Sequence, residues 1–220
     1  MGNLTDDPVF RATTFVVIDF EATTPTGHHA QPIEVAALAL RFTSSTCTPV
    51  GRYQSLIRPP AFAPITPADT AQTGLRAEDL HQAPTPDEAL GCLDRHFTPG
   101  TPYLLVAQHA ATEANLIHHQ REHCPALSRI DFLDTIPFAK RMVPHLPNYR
   151  LDTLLAHFRI PQPQDRHRAY ADVEVTAQVF LRLVHDADQI PNLDGLADLM
   201  RIAGKTAKSN LPVQDQLFEL

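Results

Sequence analysis

Residues 13–20, Thr-Thr-Phe-Val-Val-Ile-Asp-Phe, are the stretch that most limits what this chain can fold into. A short β-branched apolar run of this kind reads as a buried strand, and it runs directly into acid at Asp19 and Glu21. Side chains two apart on an extended strand share a face, so both carboxylates can converge on one point. Two like charges held that close are costly unless a cation lies between them. An isolated D-x-E is also an ordinary solvent-facing strand end, since carboxylates are normally exposed. The pair acquires meaning only from partners elsewhere.

The segments that follow supply a scaffold for such partners. Ile33–Phe42 and Arg52–Ile57 read as two further strands, joined to the first by short links, which makes a meander. Pro59–Pro86 is rich in proline and alanine, with Thr66-Pro67 and Thr85-Pro86 as Ncap–N1 pairs that open short helices. Helix is expected over 86–97, strand over 102–107, helix over 111–123 and a short strand over 130–133. Helices near 135–143, 150–158, 168–186 and 192–204 complete the chain. Strands first and strand–helix alternation later give an α/β fold, a mixed five-stranded sheet flanked by helices, in which two parallel strands join the meander. The expected organisation is a flexible N-terminus over 1–10, one domain over 11–186, and a C-terminal helix and tail over 187–220.

Composition fits that plan. With 220 residues, 43% of them hydrophobic, the chain can build one full core. No apolar run reaches the 18 or so residues of a membrane span, and the polar, acidic start has no signal-peptide pattern. Cys47, Cys92 and Cys124 are scattered and odd in number, which points to a reducing cytoplasm. The net charge of −7 argues against coating nucleic acid by bulk electrostatics. It is compatible with handling nucleic acid through bound cations, which reverse the sign of an acidic site.

Two distant segments give Asp19 and Glu21 their partners. His167 and Asp172 form H-x4-D at the entry to a long helix, the histidine in the entry loop and the aspartate about one turn inside. An unperturbed histidine titrates near neutrality and can take a proton from water. Between these segments, Gln108-His109-Ala110-Ala111-Thr112-Glu113 joins the fourth strand to a helix, so Glu113 projects from the first turn toward the carboxyl edge of the sheet. Taken singly, an acid at a helix start is simply favoured by the dipole.

Together the segments from about Thr14 to Asp186 resemble the DEDDh branch of the DnaQ-like 3′–5′ exonucleases. VVIDFEATT and PIEVAAL are similar to the first family motif and the strand after it, and PITPADTAQTGLRAEDL to a stretch ending in T/H-G-I-T. FLDTIPFAKRMVP and YRLDTLLAHFRIP resemble the spacers before the last motif, which HRAYADVEVT matches. The resemblance implies an RNase H-like fold and a pair of divalent cations, Mg²⁺ or Mn²⁺, held by Asp19, Glu21, Glu113 and Asp172, with His167 as general base. It implies substrate contacts at Phe20, Ala22, Thr23, Thr73, Gly74, Leu75 and His109. The substrate expected is the 3′ end of DNA in proofreading or repair, with RNA trimming or a non-catalytic nucleic-acid-binding module as the alternatives.

The chain departs from the family pattern in three places. The second motif usually reads H-N-A-x-F-D; here Glu113 replaces the aspartate with an acid one methylene longer, and Thr112 replaces the phenylalanine. The glycine that usually follows D-x-E-T-T is Thr24. Outside the family pattern, His118, His119, His123 and Cys124 crowd one helix end and form a conceivable zinc set, although a solvated helix face is the default. His28-His29 sits in a turn and could brush substrate, although a plain polar loop is the default. Near the C-terminus, Gln214, Leu217 and Phe218 form a Q-x-x-L-F peptide like those that dock bacterial replication and repair proteins on the sliding clamp.

Overall fold

The computed structural model describes residues 3–43, 46–163, 167–190 and 193–211. In chain order the elements are α1 (Pro8–Ala12), β1 (Thr14–Thr23), β2 (Gln31–Thr43), β3 (Thr46–Leu56), α2 (Pro67–Thr73), α3 (Ala77–Leu80) and α4 (Pro86–Asp94). These are followed by β4 (Tyr103–Ala107), α5 (Ala110–His119), β5 (Phe132–Asp134), α6 (Thr135–Met142), α7 (Leu151–Phe158), α8 (Ala169–Ala187), α9 (Leu196–Ala203) and β6 (Gly204–Lys205). The strands form one mixed sheet in the order β3-β2-β1-β4-β5-β6. The meander β1–β2–β3 is antiparallel, β4 and β5 join parallel to β1, and β6 closes the far edge antiparallel to β5. The expected five strands are present, and the sixth is a two-residue addition with no hydrophobic pattern of its own.

Strand parity decides which core each side chain enters. Along β1, Phe15 and Val17 face a layer made of α1 and α6–α9, while Val16, Ile18 and Phe20 face α4 and α5. Each buried Val, Leu, Ile or Phe in these layers contributes about 1.5–3 kcal/mol. The long helix α8 supplies Val173, Val175, Val179, Phe180, Leu183 and Val184 to the first layer. Both proline-led caps form as expected: Thr66 and Thr85 each make a capping box, with Asp69 and Glu88 respectively.

Three boundaries differ from expectation for physical reasons. β3 begins six residues earlier than Arg52, because an edge strand tolerates Pro49 and Gly51 where a central one would not. Residues 3–10, expected as a flexible N-terminus, are packed against the core. Leu4 and Phe10 are fully buried, and the Phe10 ring lies 4.7 Å from Phe15 and 4.9 Å from Phe42. Asp7 accepts from Val9 N–H to cap α1 and from Leu196 N–H at the start of α9, while Thr5 donates from its backbone N–H and its hydroxyl to Asp188. In the C-terminal segment Leu193, Leu196, Leu199 and Ala203 likewise belong to the α8 core. Among the described residues no helix is long and apolar enough to cross a membrane.

Candidate active site

Parity along β1 carries Asp19 and Glu21 to the α8 face at the carboxyl end of the strand, opposite Ala36 and Glu34 of β2. A register shift after Glu21 ends the regular ladder there. The first turn of α8 brings Asp172 to the same place. Ligating oxygens of Asp19, Glu21 and Asp172 all lie within 4.8 Å of one another. Asp19 is half-buried and the other two are buried. Among the described residues this is the one such group of three or more His, Cys, Asp or Glu side chains.

Glu113 reaches the cluster from the other side of the sheet. Its helix α5 packs with Ala110, Ala114, Leu116 and Ile117 on the Val16–Ile18–Phe20 face. The start of α5 is fixed by Asp134, whose carboxylate accepts from Ala110 N–H at 3.0 Å and from Ile136 N–H at 2.9 Å, so one side chain serves two helix starts. His109, with φ 68°, makes the left-handed turn into the helix and contacts the Thr112 hydroxyl through Nδ1 at 2.8 Å. Glu113 is buried, and its Oε2 has no hydrogen-bond partner. Loss of hydration, then the charge of Glu21, push its carboxyl up to about 8. It stands beside Glu21 without being one of the three clustered carboxylates.

A buried carboxyl oxygen with no partner, pressed against a second carboxylate, is the signature of a group that lacks its counter-charge. The donors present are all hard oxygens, which suit Mg²⁺ or Mn²⁺ in preference to softer metals. Asp19, Glu21 and Asp172 would hold such an ion, with Glu113 next to Glu21.

Beside Glu21 and Glu113 opens a cavity of about 620 Å³. Phe20 and Ala22 line it, as does Thr24, while the reading of the chain alone gave no place there to Asp69, Gln72 or Asn115. Thr23 is buried and donates to Asp69 Oδ2 at 2.8 Å. Thr73 caps back to the Asp69 carbonyl and accepts from Leu75 N–H, Gly74 makes the left-handed end of α2 at φ 73°, and Leu75 is buried. Thr23 and Thr73 thus bond to Asp69, which lines the cavity, while Leu75 packs with Ile33 and Leu80. His109 sits at the start of α5. His167 is exposed in the turn before α8, with φ 66°. Gln214, Leu217 and Phe218 lie outside the described residues.

The crowded histidines diverge. His119 stacks on His29 at 3.5 Å between ring centroids. His118 meets Ser209, His123 meets Asp87, and Cys124 is buried with its thiol directed at the Gln120 carbonyl. Among the described residues they are not one of the groups whose ligand atoms come together as a metal would need. His29 and His119 line the cavity beside Glu113.

Residues 16–180 match the RNase_T exonuclease family model. Among curated relatives, the PolC-type DNA polymerase III of Thermotoga maritima is 30% identical over 187 residues, covering 83% of this chain and 13% of that protein. The PolC-type enzyme of Caldanaerobacter subterraneus subsp. tengcongensis is 26% identical over 176 residues, covering 80% and 12%. The chain thus spans about an eighth of the length of these relatives. Among solved structures, the nuclease domain of 3′hExo, a DEDDh family member bound to rAMP, has a TM-score of 0.67 at 17% identity, covering 84% of this chain and 96% of that one. E. coli Exonuclease I in complex with a dA16 oligonucleotide has a TM-score of 0.65 at 17% identity, covering 82% and 42%. Both likenesses speak to the fold, which is that of RNase H-like exonucleases. An exonuclease of this family depends on a divalent metal, and the acidic cluster fits that requirement. With three quarters of its length matched, the chain belongs to the RNase_T exonuclease family.

Proposed function

We propose that the chain shortens DNA from its 3′ end to nucleoside 5′-monophosphates, in proofreading or repair, using two divalent cations and His167 as general base. The observation that carries this reading is the meeting of Asp19, Glu21 and Asp172 within 4.8 Å, beside an orphaned oxygen of Glu113. Bound Mg²⁺ or Mn²⁺ supplies neutralisation of the phosphate oxygens and acidification of water. The four carboxylates hold and orient, and the cavity lined by Phe20 and Ala22 accepts the terminal nucleotide. His167, exposed at the mouth of α8, takes the proton from the attacking water. The water oxygen bonds to phosphorus as the bond to the 3′-oxygen of the preceding nucleotide breaks, and that oxygen regains a proton.

The DNA polymerase relatives favour DNA over RNA as substrate, and the three free cysteines accord with a reducing cytoplasm. End-labelled single-stranded DNA and RNA, incubated with Mg²⁺, Mn²⁺ or chelator, test the reading. The expected result is a metal-dependent ladder from the 3′ end of DNA. A ladder from RNA alone moves the enzyme to RNA trimming. Asp19→Ala and His167→Ala should each lower turnover by about 100-fold or more while keeping the fold, and full activity in either removes that residue from the mechanism. The tail residues Gln214, Leu217 and Phe218 we read as a docking peptide for a sliding clamp, with two adjacent apolar anchors for a groove. A pull-down with purified clamp should succeed for the wild type and fail for Leu217→Ala/Phe218→Ala; equal capture of both discards the assignment.

A further inference from the structure

Glu34 is a charged residue in the middle of an apolar strand, with no exposed surface at all. Its carboxylate accepts four hydrogen bonds from two segments, the start of α8 and β3. Arg168 grips it with both arms of the guanidinium, Nε to Oε2 at 3.0 Å and Nη2 to Oε1 at 2.9 Å. Ala169 N–H donates to Oε2 at 3.2 Å, and Gln54 Nε2 to Oε1 at 3.2 Å. Two of these donors belong to the first residues of α8. Arg168 is the N-cap of that helix, and its carbonyl accepts the first helical bond, from Asp172 N–H at 3.1 Å. His167, one residue earlier, holds the left-handed φ of 66° that non-glycine residues rarely adopt. Such a conformation persists only where its surroundings fix it. On its own strand Glu34 lies directly opposite Glu21 in the β1–β2 register.

We propose that the Glu34–Arg168 fork is a positioning device for catalysis: it locks the entry of α8 to the acid-bearing strand, setting Asp172 against Asp19 and Glu21 and fixing the turn that presents His167. Neither residue touches the reacting atoms. A fork is suited to this task because two parallel hydrogen bonds fix orientation as well as distance. A displacement of the order of an ångström at a reacting group is enough to cost about 100-fold in rate. This role rests on the reading of His167 as general base, and the test separates the two.

Three full-length variants are compared with the wild type on the labelled strand that it shortens: Arg168→Lys, Glu34→Met/Arg168→Met and His167→Ala. Lysine keeps the charge and loses the fork. The double methionine removes both charges together, an exchange that leaves stability near neutral where removing one partner would not. The expected result is a kcat lower by about tenfold to 100-fold in both Arg168 variants, with KM within about twofold and the melting midpoint of the double variant near that of the wild type. Amide hydrogen exchange at residues 168–172 should quicken in Arg168→Lys while the rest of α8 is unchanged. Recovery of wild-type kcat in the double variant would make the pair purely structural and overturn the proposal. Should the double variant fail to fold, Arg168→Lys decides alone, and wild-type kcat there overturns it. A fully active His167→Ala sinks the general-base reading instead, whereas a slow His167→Ala beside a fast Arg168→Lys sinks only the fork.

Discussion

Two buried glutamates flank the acid-bearing strand and are treated in opposite ways. Glu34, on the α8 side, accepts from Arg168, from Ala169 N–H and from Gln54, so its charge is met in full by protein groups. Glu113, on the α5 side, has an oxygen without a partner and faces another carboxylate, Glu21. Buried polar groups are nearly always satisfied, and burying an unpaired charge is expensive. The contrast therefore separates two jobs. The Glu34 side is a finished joint that needs nothing from solution. The Glu113 side leaves one oxygen without a protein partner, so a cation or a proton from solution can complete it.

The sharpest way to break this comparison is to strand the charge of the finished joint. Arg168→Ala leaves the buried Glu34 carboxyl without its guanidinium partner, a change that costs about 3–5 kcal/mol when a buried pair loses one partner. Glu34→Ala should cost less, because the Arg168 side chain is 37% exposed and already in part solvated. Urea unfolding of the two proteins measures the difference. Equal losses would mean that the joint is not as asymmetric as its burial indicates.

A smaller effect of opposite sign is expected on the unfinished side. The folded protein holds the Glu113 carboxyl up at about 8, against an ordinary value of 4.5. A group raised in this way favours the fold fully below its unfolded value, and that contribution is lost as pH rises from about 4.5 to about 8. Metal-free protein should thus lose stability across this window. Glu113→Gln keeps the size and drops the charge, so it should stabilise metal-free protein at pH 8 by about 1–3 kcal/mol and do little at pH 5. Added Mg²⁺ or Mn²⁺ should raise the melting midpoint of the wild type more than that of Glu113→Gln. A flat pH response of the metal-free wild type between 5 and 8 would show that Glu113 finds a partner in solution.

Much of the scaffold is legible along the chain because its signals are local. The alternation of Phe15, Val17 and Asp19 with Val16, Ile18 and Phe20 assigns each to a face before any partner strand is known. Thr66-Pro67 and Thr85-Pro86 carry their own capping chemistry and form as read. The packing of Leu4 and Phe10 escapes such a reading, since a five-residue helix has too few apolar positions to show a period. The cavity residues Asp69, Gln72 and Asn115 escape it too, because they come from separate helices with no shared motif. Glu34 did offer a signal: a charge inside Ile-Glu-Val-Ala-Ala-Leu must find a partner if the strand is buried.

The sequence by itself determined that Asp19 and Glu21 share one face of a buried strand and that Asp172 stands in the first turn of a long helix, because both follow from the fixed period of the backbone. Only the tertiary structure decided that Glu113 approaches from the opposite side of the sheet, that its outer oxygen is left without a donor, and that Glu34 is joined to Arg168 across 134 positions of chain. Those facts depend on strand order and on which helix covers which face, and no local period records either.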